Sequence, residues 1–439
     1  MACSPAQRMP APQMKTTELS NGVKVASEAS YGPTATLGLY VDAGSVYESA
    51  QQTGTSHLLE YMAFKSTQNR TFFRLTREVE AIGGNVMASA SREQMVYTVD
   101  VLKTNVAEAL EVLADAVLNP KFHPWEVDEQ KAKLEGDLKA MKNNPQTVLL
   151  EGLHETAWNG GLGRPLVCPE GAVGALSAEG LQHFHSQLYK APHLVLAGAG
   201  VEHTELLGLS KPLLESLPKQ GKVSQPASKY LGGDFRQFQV GGLTHLMLAF
   251  EFPGGWRDVK GSVAVTVLQF LLGGGGSFST GGPGKGMHSR LYRNVLNQYG
   301  WMHNCTAFNS LYNDTGVVGV FATCEASKAE DATDVITKEL QALAKDVPEQ
   351  DLERAKRATA SSVLMNLENR NVVAEDIGRQ ILTYGHRKQV SEFLDTIKSI
   401  KPSDISALAT KLMKTPLSMA SLGDINLVPR YSNVEKRFG

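Results

Sequence analysis

Cysteine is scarce in this chain. Four residues in 439, Cys3, Cys168, Cys305 and Cys324, lie far apart and form no C-x-x-C pair. That usage fits free thiols in a reducing compartment better than a disulfide framework. Long apolar runs are missing too. The nearest candidate, "VAVTVLQFLLGGGG", dissolves into glycine short of the roughly 20 residues that a membrane-spanning helix needs. Nor does either sign of charge dominate: 43 basic residues against 45 acidic ones leave a formal charge of −2. No global field therefore favours nucleic acid or anionic lipid.

What remains is an ordinary soluble composition, 42% hydrophobic and 20% charged, over a length that suits two domains of roughly 200 residues. Internal repetition supports two related halves. In "RLTREVEAIGGNV", Arg74, Leu75, Arg77, Val79 and Gly84 recur as Arg290, Leu291, Arg293, Val295 and Gly300 of "RLYRNVLNQYGWM", an offset of 216. Upstream, "LGLYVDAGS" from Leu37 echoes "LMLAFEFPGG" from Leu246 at an offset of 209.

Each half reads as α+β. Asn21-Gly22 between short apolar runs signals a hairpin, because both residues tolerate positive φ. "TATLGLYVDAG" and "MVYTVDVLK" read as strands; "NVAEALEVLADAVL" and "ATDVITKELQALA" carry helical spacing. The expected fold is two duplicated halves, each a mainly antiparallel sheet packed on one side by helices. The expected divisions are a flexible lead over residues 1–14, a first half over 15–216, a linker over 217–233 rich in Lys, Pro, Ser and Gly, and a second half over 234–439.

Chemistry centres on "HLLEYMAFKST", His57 to Thr67. With histidine at position 61 the segment would be H-x-x-E-H, the inverted zinc motif, in which two imidazoles bind the metal and the glutamate acts as general base. Position 61 is tyrosine. Other patterns are weaker. His183 and His185 are two apart and diverge on a helix, and "GGPGKGM" lacks the Ser or Thr of a phosphate-binding loop.

The motif, the two related halves and "GLHETAW" at Gly152–Trp158 together resemble the peptidase family that contains pitrilysin and the mitochondrial processing peptidase. In active members of that family a glutamate supplies the third ligand about 76 residues beyond the second histidine; here that count from Tyr61 lands on Asp137. The resemblance thus implies a dismantled site at His57, Glu60, Tyr61 and Asp137, with no catalytic residue and no metal in this chain. Tyrosine must lose a proton to become a good ligand, and aspartate is one methylene short.

The run "GGGGSFSTGGPGKGM" after Leu272 is similar to the glycine-rich loop of the family's α-subunits. On that resemblance Gly273, Gly274, Gly275, Gly276, Ser277, Phe278, Gly281, Gly282, Gly284, Lys285 and Gly286 are expected to contact substrate. The resemblance implies a non-catalytic α-type subunit of a zinc metalloendopeptidase, inactive alone. It would recognise presequence peptides of imported precursors for a homologous β-subunit with intact H-x-x-E-H and its zinc, in the mitochondrial matrix. Assembly of the pair into the cytochrome bc1 complex at the matrix face of the inner membrane stays open, as does a purely structural role as a core protein there. "EVDEQ" and "EGD", between Glu126 and Asp137, are candidate acids for a basic presequence, with solvated helix charges as the plainer reading.

Overall fold

The computed structural model describes residues 13–219, 221, 223–277, 286–345 and 347–438. The strands of the first half are β1 (Met14–Glu18), β2 (Lys24–Glu28), β3 (Thr34–Val41), β4 (Asn85–Ala90), β5 (Met95–Leu102), β6 (Trp158–Gly160) and β7 (Leu194–Ala199). Then come β8 (Ser228–Tyr230), β9 (Gly233–Phe238), β10 (Leu243–Glu251), β11 (Gly274–Gly276), β12 (Met302–Leu311), β13 (Gly316–Glu325) and β14 (Ser418–Gly423). One six-stranded sheet runs β1-β2-β7-β3-β5-β4, the other β11-β12-β13-β10-β14-β9, while β6 and β8 form a short ribbon.

The duplication is visible strand by strand. Sliding β2-β7-β3-β5-β4 onto β9-β14-β10-β13-β12 matches every pairing sense: the first pair is parallel in both, β2 with β7 and β9 with β14, and the other three are antiparallel. The sheets are therefore mixed, because β7 and β14 return from far along the chain to pair beside an early strand. Arg74 lies in the helix Phe72–Ala81 just before β4, and Arg290 just before the π-helical turn Tyr292–Leu296 that leads to β12. Asn21-Gly22 does sit in the β1–β2 hairpin, but in a five-residue loop where Gly22 takes φ +100 and the Asn21 amide ties down Leu214 O at 2.7 Å.

One-sided packing is not what forms. Side chains alternate along a strand, and in β3 both sets are buried. Leu37, Leu39 and Val41 enter the core of their own half, whereas Tyr40 joins Val373, Ala374, Ile377 and Ile381 from the helix Arg370–Tyr384 of the second half. The reverse holds in β10: Leu246, Leu248 and Phe250 face their own core, and Met247 and Ala249 meet Leu149 and Leu153 of the helix Pro145–Ala157. Each half lends a helix to the other's sheet. Burial of each such Val, Leu or Ile is worth about 1.5–3 kcal/mol, so the exchange couples the halves strongly.

Candidate functional site

The helix Thr55–Met62 begins at Gly54, whose φ of +88 favours glycine and where a Cβ would lie 2.3 Å from Cys168 Sγ. The buried Glu48 carboxylate caps this helix, accepting Gly54 N–H at 2.8 Å, Ser56 N–H at 2.7 Å and the Ser56 hydroxyl at 2.5 Å. Burial nonetheless outweighs those bonds and pushes its pKa up to about 7. The capped helix start carries His57 in its first turn and Glu60 and Tyr61 in the next.

His57 is buried, and its Nδ1 accepts Cys168 N–H at 3.1 Å. A neutral ring that accepts at Nδ1 carries its proton on Nε2, so the other nitrogen is a donor rather than a metal ligand. Burial lowers the His57 pKa to about 4, with Asp137 opposing weakly. Tyr61 sets its ring edge-on to His57, with centroids 5.4 Å apart, and donates its hydroxyl to Asp137 Oδ2 at 2.9 Å. Burial, then the Asp137 hydrogen bond, raise the phenol pKa well above its usual value. Asp137 sits on the helix Pro124–Met141, as does Lys133, whose ammonium lies over the Tyr61 ring at 5.5 Å. Glu60 Oε2 accepts Ala90 N–H at 2.9 Å, fastening the helix to β4, and burial raises its pKa.

These residues do not fit zinc. Two ligand atoms about 2.0–2.1 Å from a tetrahedral metal stand about 3.3 Å apart. Here the Tyr61 hydroxyl proton, not a metal ion, bridges Tyr61 and Asp137, and Lys133 already supplies positive charge. Among the described residues no three His, Cys, Asp or Glu side chains converge to hold a metal ion.

A pH effect follows from His57. Its folded pKa lies below that of the unfolded chain, so the unfolded state binds more protons between about pH 6.5 and 4. Stability from this residue is complete above pH 6.5 and falls on acidification, by on the order of 3 kcal/mol at pH 4. His57→Asn, whose Oδ1 can accept Cys168 N–H, is expected to flatten that part of the slope. Urea unfolding from pH 7.5 to 4.5 measures it, and identical slopes in both proteins would refute the assignment.

The other expected contacts divide. Gly273, Gly274, Gly275, Gly276 and Ser277 run beside β12, and Gly286 has φ +74. Phe278, Gly281, Gly282, Gly284 and Lys285 lie outside the described residues. Of the candidate acids, Glu126 is buried and accepts the Ser66 hydroxyl at 2.6 Å, and Asp137 is held by Tyr61. Those two are committed elsewhere, whereas Asp128, Glu129 and Glu135 of the same segments are exposed on the helix.

Sequence reasoning missed a cavity of about 610 Å³ in the second half. One wall is polar: Glu375, Asp376, Arg379, Gln380 and Thr383 lie on the helix Arg370–Tyr384, on the face turned away from the first sheet. The opposite wall is apolar, with Val263, Leu311, Val363, Phe393 and Ile397. The signal was present as helical spacing in "NVVAEDIGRQILTYG", where polar residues alternate with Val373, Ala374, Ile377 and Ile381.

Comparison with known proteins agrees with this geometry. The model of "Insulinase (Peptidase family M16)" matches residues 24–170, and that of "Peptidase M16 inactive domain" matches residues 175–359. The fold is thus of the M16 peptidase class. The chain belongs, within that class, to the family of mitochondrial-processing peptidase alpha subunits. It is 51% identical to that subunit of Solanum tuberosum over 424 residues, 96% of this chain and 84% of the relative. It is 34% identical to the subunit of Bos taurus over 447 residues, covering 96% and 84% respectively. A chain of a solved structure described as "Complex III2 from Candida albicans, Inz-5 bound" has the same fold, with a TM-score of 0.83 at 21% identity, covering 97% of this chain and 99% of that one.

Proposed function

We propose that this chain is the non-catalytic, substrate-recognising subunit of a mitochondrial processing peptidase. It pairs with a homologous β-subunit whose intact H-x-x-E-H carries the zinc, in the mitochondrial matrix or at the matrix face of the inner membrane. The Tyr61–Asp137 hydrogen bond carries the reading, because it closes the two positions where an active relative would place metal ligands. High identity to named alpha subunits supports it.

Recognition of presequence peptides falls to the second half. Gly273 to Gly276 carry no side chains to obstruct an approaching peptide, and the cavity offers one polar and one apolar wall to a basic amphipathic segment. Its carboxylates are already compensated: Glu375 pairs with Arg379 at 2.6 Å and Asp376 with Arg387 at 2.8 Å. A cationic substrate would compete with those arginines, so binding should weaken as salt rises.

The test is reconstitution with the partner purified from the native source. Glu60→Gln is expected to leave presequence cleavage within about twofold of wild type, since a glutamate bound to Ala90 N–H serves packing and not chemistry. A hundredfold loss of turnover in a folded heterodimer would overturn the reading. Co-migration with haem proteins and integral membrane subunits would place the pair in the cytochrome bc1 complex, and a stable native monomer would exclude both.

A further inference from the structure

The two sheets match in all but their ends, and one end matters. In the first sheet β4 is the last strand, and among the described residues no strand lies beyond it. Its counterpart β12 is covered by β11, three consecutive glycines. Gly274, Gly275 and Gly276 pair with Thr306, Cys305 and Asn304. The pairing is continued by Ala307 N–H to Gly273 O and by Ser277 N–H to His303 O, both at 2.8 Å.

This is a weak strand. Glycine loses the most backbone entropy on ordering and brings no side chain to pack. Gly274 has φ +102, and a Cβ there would lie 1.9 Å from Cys305 O, so no ordinary residue could follow the same path. A peptide of L-residues, by contrast, pairs with an edge strand in regular β geometry and adds side-chain contacts on both faces. The present occupant is poorer than the competitor it would meet.

We infer that the outer edge of β12, His303 to Ala307, is a docking edge for an extended peptide, and that the Gly274–Gly276 strand is its displaceable occupant. The inference rests on the presequence-recognition reading and gives it a backbone mechanism. Peptide amides and carbonyls replace those of the glycine strand, so affinity depends little on side-chain identity. Ser289 sets the threshold for release, since its hydroxyl accepts Gly274 N–H at 3.1 Å.

Hydrogen exchange on the reconstituted heterodimer, with and without a saturating synthetic presequence peptide, tests this. Displacement predicts that the Ser277 amide exchanges about tenfold faster with peptide, having lost one hydrogen bond, while Ala307 stays protected by the peptide's own carbonyl. Ser289→Ala should bind the same peptide about threefold more tightly or better, because its glycine strand is easier to release. If Ser277 and Ala307 both slow on binding, the glycine strand clamps rather than yields, and the inference fails while presequence recognition stands. Saturable binding with neither amide altered, or unchanged affinity in Ser289→Ala, also overturns it. Absence of peptide binding overturns the functional reading and the inference together.

Discussion

Gly378→Val is expected to destabilise the protein by about 3 kcal/mol or more, at the upper end of what overpacking does. A Cβ at Gly378 would stand 2.2 Å from Tyr40 Cδ2, and Tyr40 cannot retreat, because its ring already occupies the space that Gly38 leaves by lacking a side chain. Tyr40 is fully buried between the first sheet and the helix Arg370–Tyr384. The helix must therefore tilt off the sheet. That strains polar ties between the halves: Asn371 Nδ2 to Asp100 at 2.7 Å, and Arg387 to Glu28.

On the proposed substrate role of the 610 Å³ cavity, the consequence extends to binding, because the opposite face of the same helix is its polar wall. Urea unfolding and presequence KM, measured together, should worsen together. Tyr40→Ala should partly rescue Gly378→Val by making room, a non-additive pair in a double-mutant cycle. A midpoint for Gly378→Val indistinguishable from wild type would show that the contact is soft and the halves are held elsewhere.

That exchange of helices marks where sequence reading reached its limit. Alternation in "TATLGLYV" shows a strand, and burial of both faces follows from its apolar content, yet nothing local says which helix covers the second face. The covering helix is more than 300 residues away, and its apolar stripe would suit any sheet. The parallel β2–β7 and β9–β14 pairs escaped for the same reason, since pairing partners far apart leave no local pattern. Asn21-Gly22 marked the hairpin but not its loop length, because Asn21 is recruited to a tertiary bond.

Of the site, helical spacing alone gave only the His57–Tyr61 pair, and Asp137 came from the family resemblance rather than from any local pattern. Four residues separate His57 from Tyr61, one helical turn, and 76 separate Tyr61 from Asp137, which the fold brings within a hydrogen bond. The pairing of Gly274–Gly276 with β12 was not legible. Glycine has no strand propensity to read, and the duplication had to be seen strand by strand before the extra one stood out.

The isolated chain is expected to retain no zinc through gel filtration, and Tyr61→His with Asp137→Glu to restore about one zinc per chain. Three obstacles stand in the native site, and each has a physical cause. Tyr61 would have to ionise although burial and Asp137 both raise its pKa. Asp137 is one methylene short in a site that tolerates distance errors of about 0.2 Å. His57 presents a proton on Nε2 because Nδ1 is committed to Cys168 N–H. The double substitution removes the first two; the third is a tautomer choice, whose reversal leaves the buried Cys168 N–H without its acceptor at a cost of about 1–3 kcal/mol. Against structural zinc affinities of about 10–16 kcal/mol that cost is small. Tyr61→His alone should bind at least about tenfold more weakly than the double variant, because the carboxylate still falls short. Metal analysis on the three proteins decides it. One tight zinc per native chain would show that the Tyr61–Asp137 bond opens readily, and the non-catalytic assignment would fall. An empty double variant would place the defect in the His57–Cys168 contact, and Glu60 with its bond to β4 would then belong wholly to the architecture.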